Sequence, residues 1–186
     1  MAGNVSRKYS VLDLGCGSKR RVENACRVDI NRSVGPTVVA DLNIIPFPFS
    51  DCSFDRILCI HVLEHLDDIP GIMEELYRLC RPGGTVEIVV PHYSHRNAYT
   101  DPTHRHWFAA RSFDFFLADQ GARRFRTIPA VAGFSLVERR LDFGPALINL
   151  GRIFYKLLGL DTYESYLAGI FPARDIQVVL RAVKAC

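Results

Sequence analysis

The chain has 186 residues, 48% of them hydrophobic and 23% charged, with a formal net charge of +3. That length suits one domain over residues 1–186 with a single substantial core and excludes two ordinary catalytic domains; the small charge excess does not by itself point to nucleic acid. No apolar run reaches bilayer length and the first eight residues lack the apolar core of a secretory signal, so a cytoplasmic protein without membrane insertion is expected. Cysteines at 16, 26, 52, 59, 80 and 186 show no CxxC pair and read as reduced, mostly buried thiols. Arginine supplies 19 of the 23 basic residues, with pairs at Arg20-Arg21 and Arg123-Arg124. Such guanidinium forks suit carboxylate or phosphate, though solvated surface arginine explains most such pairs.

Short apolar runs separated by turn signals predict seven strands, over 10–14, 26–29, 37–40, 54–60, 85–91, 135–143 and 176–184. The first runs through Val11-Leu12-Asp13-Leu14 into Gly15-Cys16-Gly17, where two closely spaced glycines allow a sharp turn and leave bare backbone against which a ligand can lie. Asp29, at the end of the second strand, is placed to accept hydrogen bonds from ribose hydroxyls. A dinucleotide fingerprint wants a small residue where Arg20 stands, and there is no Walker lysine followed by Ser or Thr. A nucleoside ligand without pyrophosphate is left.

The eight residues 18–25 are too few for a full crossover helix, so the first helix is expected to be stunted. The six residues 31–36 allow only an extended or single-turn link. A crossover helix is predicted over 69–79, where Ile72, Met73, Leu76, Tyr77 and Leu79 recur at helical spacing and Arg81-Pro82-Gly83-Gly84 stops it. A second is predicted over 110–119, and residues 144–174 read as an inserted helical pair between the last two strands. That insert packs on the core, forms a lid over the substrate mouth or makes an interfacial membrane contact, for which only Arg152, Lys156 and Arg174 supply positive charge.

In this order the segments resemble the class I S-adenosylmethionine-dependent methyltransferases. The likeness rests on the glycine turn and on Asp41-Leu42-Asn43 with Ile45-Pro46-Phe47. It continues through Phe49-Ser50-Asp51-Cys52-Ser53-Phe54-Asp55, His61-Val62-Leu63-Glu64-His65-Leu66 and Leu79-Cys80-Arg81-Pro82-Gly83-Gly84. It covers about residues 10 to 91. The resemblance implies an α/β, doubly wound, Rossmann-like sheet of seven mostly parallel strands with an antiparallel last strand. It further implies that S-adenosylmethionine is the cofactor, with Asp13 supporting the glycine loop and the cofactor's amino group, and Gly15 and Gly17 flanking the methionine portion. Asp29 would take the ribose hydroxyls, Asp41 with the Leu42 backbone would read the adenine edge, and His61 would lie beneath the sulfonium. The chain starts about nine residues before the first strand, so the N-terminal helix that often covers the cofactor in this family is expected to be missing or vestigial. Closure would then fall to the loop after Pro91 or the insert after Gly144.

All six histidines lie between positions 61 and 106. His61-Val62-Leu63-Glu64-His65 fits the HxxEH pattern of some zinc peptidases, but that pattern needs both histidines on one helix and here the first ends a predicted strand. The second group follows strand five, at the carboxyl edge where open α/β sheets bind ligands. Within it His92, His95, His104 and His106 are candidate bases, and Asp101 could orient one of them. His104 is favoured, because Asp101-Pro102-Thr103-His104 sets an acid and a base three residues apart around a proline-fixed turn. Tyr93, Tyr99, Trp107 and Phe108 are expected to wall the acceptor site. No resident metal is assigned, a divalent ion on His92, His95, Asp101 and His104 being the alternative. The function expected is methyl transfer to an oxygen or nitrogen nucleophile of a small or medium-sized acceptor. The rivals are a non-catalytic S-adenosylmethionine-binding protein and a metal-dependent hydrolase; the oligomeric state stays open.

Overall fold

A computed structural model of the chain describes residues 9–18, 22–118, 133–144 and 149–185. Seven strands form one sheet in the order β3-β2-β1-β4-β5-β7-β6, with β1 Val11–Leu14, β2 Ala25–Asp29, β3 Val38–Val39, β4 Phe54–Ile60, β5 Cys80–Pro91, β6 Phe134–Asp142 and β7 Asp175–Ala182. The first five strands pair in parallel, and β7 alone runs against its neighbours β5 and β6. This is the doubly wound sheet with a reversed last strand that was expected. Strand order changes direction between β1 and β4, which opens a crevice beyond their carboxyl ends. The glycine turn after β1 and His61 after β4 both stand at that point.

Helix α1, Ile69–Leu79, forms where the periodicity placed it. Asp68 caps it by accepting from the Gly71 N–H at 3.0 Å, and Pro70 sits in the first turn, where its missing N–H costs nothing. Its buried face, Ile69, Ile72, Met73, Leu76 and Leu79, joins Leu12, Leu14, Ile57, Val86 and Ile88 in the core. From the same helix Glu75 accepts from the Phe47 N–H at 2.9 Å, and Arg78 binds Glu75, Asp51 and the carbonyls of Phe47 and Phe49. That clamp holds the segment after β3 against the helix.

Several elements differ from expectation. Strand β5 begins at Cys80, directly after α1, because Cys80 already pairs with Phe54 before the register shifts and resumes at Thr85. In place of a helix over 110–119 there is a single 3-10 turn, Ser112–Phe116: Phe113 and Phe116 are buried, and Leu117 then bridges to Phe134 at the sheet edge, so the chain cannot continue a helix. Another 3-10 turn, Arg32–Val34, makes the link to β3, the single-turn connection that six residues allow. The stunted helix expected in 18–25, with Arg20 and Arg21, falls partly outside the described residues, as do Arg123 and Arg124; no described residue of 15–24 is helical. Cys16, Cys26, Cys59 and Cys80 are buried free thiols, whereas Cys52 departs from expectation in being disulfide-bonded.

The insert contains α2, Asn149–Leu158, followed by a helical turn Leu160–Thr162 that runs into a π-helical stretch Tyr163–Leu167. Its second half is packed into the core. Tyr163 is fully buried against Phe143 and Tyr155 and donates to the Phe171 carbonyl at 2.6 Å. Among the described residues, no helix is long and apolar enough to cross a membrane.

Docking of the insert can be checked by paired substitutions. Tyr163→Ala should cost about 3–5 kcal/mol of unfolding free energy in urea titration, as deletion of a fully buried aromatic side chain does. Tyr166→Ala, at a position 76% exposed, should stay within about 0.5 kcal/mol. Equal effects would contradict the docked arrangement.

Candidate functional site

The turn after β1 is built for close approach. Gly15 and Gly17 both take left-handed backbone conformations, with φ of +59° and +52°. A Cβ on Gly15 would lie 2.5 Å from Val62 Cγ2, so both backbone angle and space demand glycine there; Gly17 faces open space. Between them Cys16 is buried with its Sγ 4.0 Å from Asp29 Oδ2, and its N–H donates to the Val28 carbonyl at 3.1 Å. The Gly17 N–H donates to Asp29 Oδ2 at 2.9 Å, and Arg27 donates to the Gly17 carbonyl at 2.7 Å. Asp29 Oδ1 accepts from the Asn31 N–H at 2.9 Å. A carboxylate offers about four acceptor positions, so Asp29 retains capacity toward the cavity it lines.

That cavity, of about 330 Å³, is lined by Gly15, Asp29, Ile30, Ala40, Asp41, Leu42, Asn43, His61, Val62, His65 and Leu66. Its size is at the lower end of the roughly 300–1,000 Å³ usual for small-molecule sites. Five of the seven residues assigned to the cofactor therefore meet in one place: Gly15, Asp29, Asp41, Leu42 and His61. Asp13 is fully buried within β1 and Gly17 is occupied in holding the turn, and neither lines the cavity. The apolar wall was not foreseen. Ile30 is 65% exposed immediately after the acid that ends β2, and an exposed branched side chain at a strand's carboxyl end was the signal available.

A second cavity, of about 740 Å³, is lined by His61, Glu64, His65, Pro91, Asn97, Thr100, Asp101, Pro102, His104 and Asp175. His61 and His65 line both cavities, so the two adjoin at these imidazoles. His61 takes a left-handed backbone (φ +53°), and its Nδ1 lies 3.4 Å from Glu64 Oε1, a contact that raises its pKa. Residues Leu63–His65 form a 3-10 turn. His61 and His65 thus do not share the helical face an HxxEH peptidase requires.

The segment after β5 is stapled onto that turn. The Glu64 carbonyl accepts from the Arg105 N–H at 2.7 Å, Arg105 pairs with Asp67, and Thr103 Oγ1 lies 2.9 Å from His65 Nδ1. The Thr103 hydroxyl and N–H both donate to Asp101 Oδ1, holding the Asp101 carboxyl below its usual range. Asp101 therefore reaches His65 through Thr103 rather than orienting His104. The ring of His104 meets that of His65 edge to face with centroids 4.7 Å apart. Its Nδ1 is 3.0 Å from the Ala98 carbonyl, which can only accept, so Nδ1 carries the proton and Nε2 keeps its lone pair.

The other candidates are placed differently. His92 is fully buried, with Nε2 3.0 Å from Glu164 Oε1 and Nδ1 2.8 Å from Ser94 Oγ. Burial opposes ionisation of Glu164, yet bonds from His92 and the Ala110 N–H outweigh it and hold its pKa down. His92 thus ties the end of β5 to the insert and lines neither cavity. His95 accepts from the Asn97 N–H at 3.2 Å, has its pKa lowered by burial, and also lines neither cavity. His106 reaches the Asp67 carbonyl at 3.3 Å. Of the expected aromatic walls, Phe108 is buried, Tyr93 bonds the Glu164 carbonyl, and Tyr99 stacks on Trp107 at the surface. No described residue of 144–174 lines either cavity.

A family model described as a methyltransferase domain matches residues 2–128, more than half of the chain. A protein of Encephalitozoon cuniculi classed with the methyltransferases is 30% identical over 97 residues, 46% of each chain. Methyltransferase GfsG of Streptomyces halstedii is 30% identical over 107 residues, covering 46% of this chain and 38% of its own. The chain thus spans less than half the length of the curated relatives it matches. A solved SAM dependent methyltransferase of Archaeoglobus fulgidus superposes over 93% of this chain and 86% of its own, with a TM-score of 0.60 and 20% identity. At that identity the likeness is one of fold.

The two glycines differ in what a methyl group would meet. Gly17→Ala should cost about 1–2 kcal/mol, the left-handed backbone penalty alone. Gly15→Ala should cost more, because Val62 must also move. Denaturant unfolding of the pair measures the difference, and a smaller cost at Gly15 would contradict the geometry.

Proposed function

The chain belongs to the methyltransferase domain family, and from that premise we propose that it transfers the methyl group of S-adenosylmethionine to an oxygen or nitrogen nucleophile of a small or medium-sized acceptor. One observation carries the reading: a nucleoside-sized cavity at the strand-order reversal opens, at His61 and His65, beside a larger cavity with polar walls. Bound in the smaller cavity, S-adenosylmethionine would supply a methyl group activated by its sulfonium.

The residues fit that ligand. Asp29 has acceptor capacity left for the ribose hydroxyls, and Ile30, Leu42, Val62 and Leu66 form an apolar slot suited to a flat heterocycle. Asp41 spends Oδ1 on the Asn43 N–H at 2.9 Å and has acceptor capacity left for an adenine amino group. Gly15 lets the ligand approach bare backbone, while Asp13 and Gly17 act through the turn they support. His61 stands at the junction, where the methyl group would face the acceptor.

On the acceptor side the protein's work is alignment, exclusion of water and removal of one proton. S-adenosylmethionine held in the smaller cavity would give up its methyl group to the acceptor's lone pair and leave as S-adenosylhomocysteine. The acceptor's proton passes to His104 Nε2, whose lone pair is free because Nδ1 is committed to the Ala98 carbonyl.

Calorimetry with S-adenosylhomocysteine tests the donor site: wild type should bind, and Asp29→Ala should bind tens of times more weakly, about 1.5–3 kcal/mol for a charged hydrogen bond. No binding at millimolar ligand would contradict the reading. A methyl-transfer screen with labelled cofactor against pooled metabolites should identify an acceptor. With that acceptor, His104→Ala should keep its affinity for S-adenosylhomocysteine and lose about a hundredfold or more in turnover.

A further inference from the structure

We propose that Glu64, His65 and His104 form a binding site for one divalent transition-metal cation, open toward the larger cavity. Among the described residues, a carboxylate oxygen of Glu64 and one ring nitrogen each of His65 and His104 lie within 4.8 Å of one another. All three side chains line the larger cavity. The alternative set of His92, His95, Asp101 and His104 forms no such group among the described residues.

A second, independent observation points to a ligand. Glu64 is 1% exposed, yet its Oε2 has no hydrogen-bond partner, while Oε1 faces His61 Nδ1 at 3.4 Å. A buried carboxylate oxygen without a partner is costly, and a cation beside it removes the cost. The two imidazoles are already in the form a cation needs. His104 gives its Nδ1 proton to the Ala98 carbonyl. The one hydroxyl proton of Thr103 goes to Asp101 Oδ1 at 2.7 Å, so Thr103 Oγ1 accepts from His65 Nδ1. Both rings therefore keep an Nε2 lone pair, and each is oriented by a bond from its other nitrogen, as metal-ligating histidines are.

Donors arranged around a cation at about 2.1 Å stand about 3.4 Å apart in tetrahedral geometry. Closing from 4.8 Å asks each of two half-exposed rings to move by under about 1 Å. Two nitrogens and one carboxylate suit Zn2+, Co2+, Fe2+ or Mn2+. Three protein ligands leave at least one position for a molecule in the cavity, the arrangement of a catalytic rather than a structural metal site.

The cation site stands on these three side chains alone. What it implies for the acceptor rests on the methyl-transfer reading: an oxygen nucleophile, hydroxyl or phenol, would take the open position. Coordination lowers the pKa of such a hydroxyl, so its proton leaves to water and His104 serves as ligand instead of base.

The full untagged chain, stripped with EDTA, is titrated with Co2+ and followed by visible absorption, then displaced with Zn2+. The expected result is one Co2+ per chain with the ligand-field bands of a site of low coordination number. Binding should fall roughly tenfold or more in His104→Ala, His65→Ala and Glu64→Gln, a loss of the order set even by supporting residues of known sites. Affinity for S-adenosylhomocysteine should persist in His104→Ala and Glu64→Gln, neither of which lines the smaller cavity, and reports folding. Absence of Co2+ uptake by wild type that still binds S-adenosylhomocysteine overturns the cation site and leaves the donor reading standing. Undiminished uptake in both histidine variants overturns it as well. Co2+ uptake lost in the variants, in a chain that never binds S-adenosylhomocysteine, supports the cation and removes the methyl-transfer reading.

Discussion

The N–H of Gly17 donates to Asp29 Oδ2, and Arg27 holds the Gly17 carbonyl from the other side. These two contacts, with Cys16 on the Val28 carbonyl, fasten the turn after β1 to the carboxyl end of β2. Left-handed backbone at two residues in three is unfavourable for ordinary side chains, so the turn holds its shape only because glycine lowers the cost and β2 supplies partners. The small cavity is bounded by what this fastening positions: Gly15 as floor, Asp29 as acid, Ile30 as wall. Asp29 thereby organises the turn and still presents acceptor capacity to a ligand.

A second fastening assembles the other half of the site. The carbonyl of Glu64 receives the Arg105 N–H, while its side chain lies buried between His61 and the rings of His65 and His104. One residue thus docks the chain after β5 onto the turn after β4 and places a carboxylate where the two cavities adjoin. The insert contributes from a distance. Glu164 holds His92 and the Ala110 N–H, anchoring the start and the end of the histidine-bearing segment without entering either cavity.

The fold was legible because its signals are local. Alternating apolar runs, the acid and glycines after β1, and the spacing of Ile72, Met73 and Leu76 each report on a strand, turn or helix through neighbours in sequence. Five of the residues named for the donor side meet in the small cavity for the same reason, since Asp29 ends β2 and Asp41 follows β3 by two residues. The helix expected over 110–119 failed because Phe113 and Phe116 are core residues of a single turn, a tertiary demand that periodicity cannot separate from a helical face. The acceptor side depended on contacts between residues far apart in the chain. Nothing in sequence places His104 beside His65, because that pairing is made by Arg105 on the Glu64 carbonyl and Thr103 on His65. His92 looked like a reactive loop imidazole, but its partner, Glu164, lies 72 residues away.

A crystal structure of the chain with S-adenosylhomocysteine tests the central claim most directly. The account requires the ribose hydroxyls on Asp29, the heterocycle between Ile30 and Leu42 beside Asp41, and the sulfur facing His61 toward the larger cavity. Ligand density elsewhere, or a ribose without contact to Asp29, would contradict it.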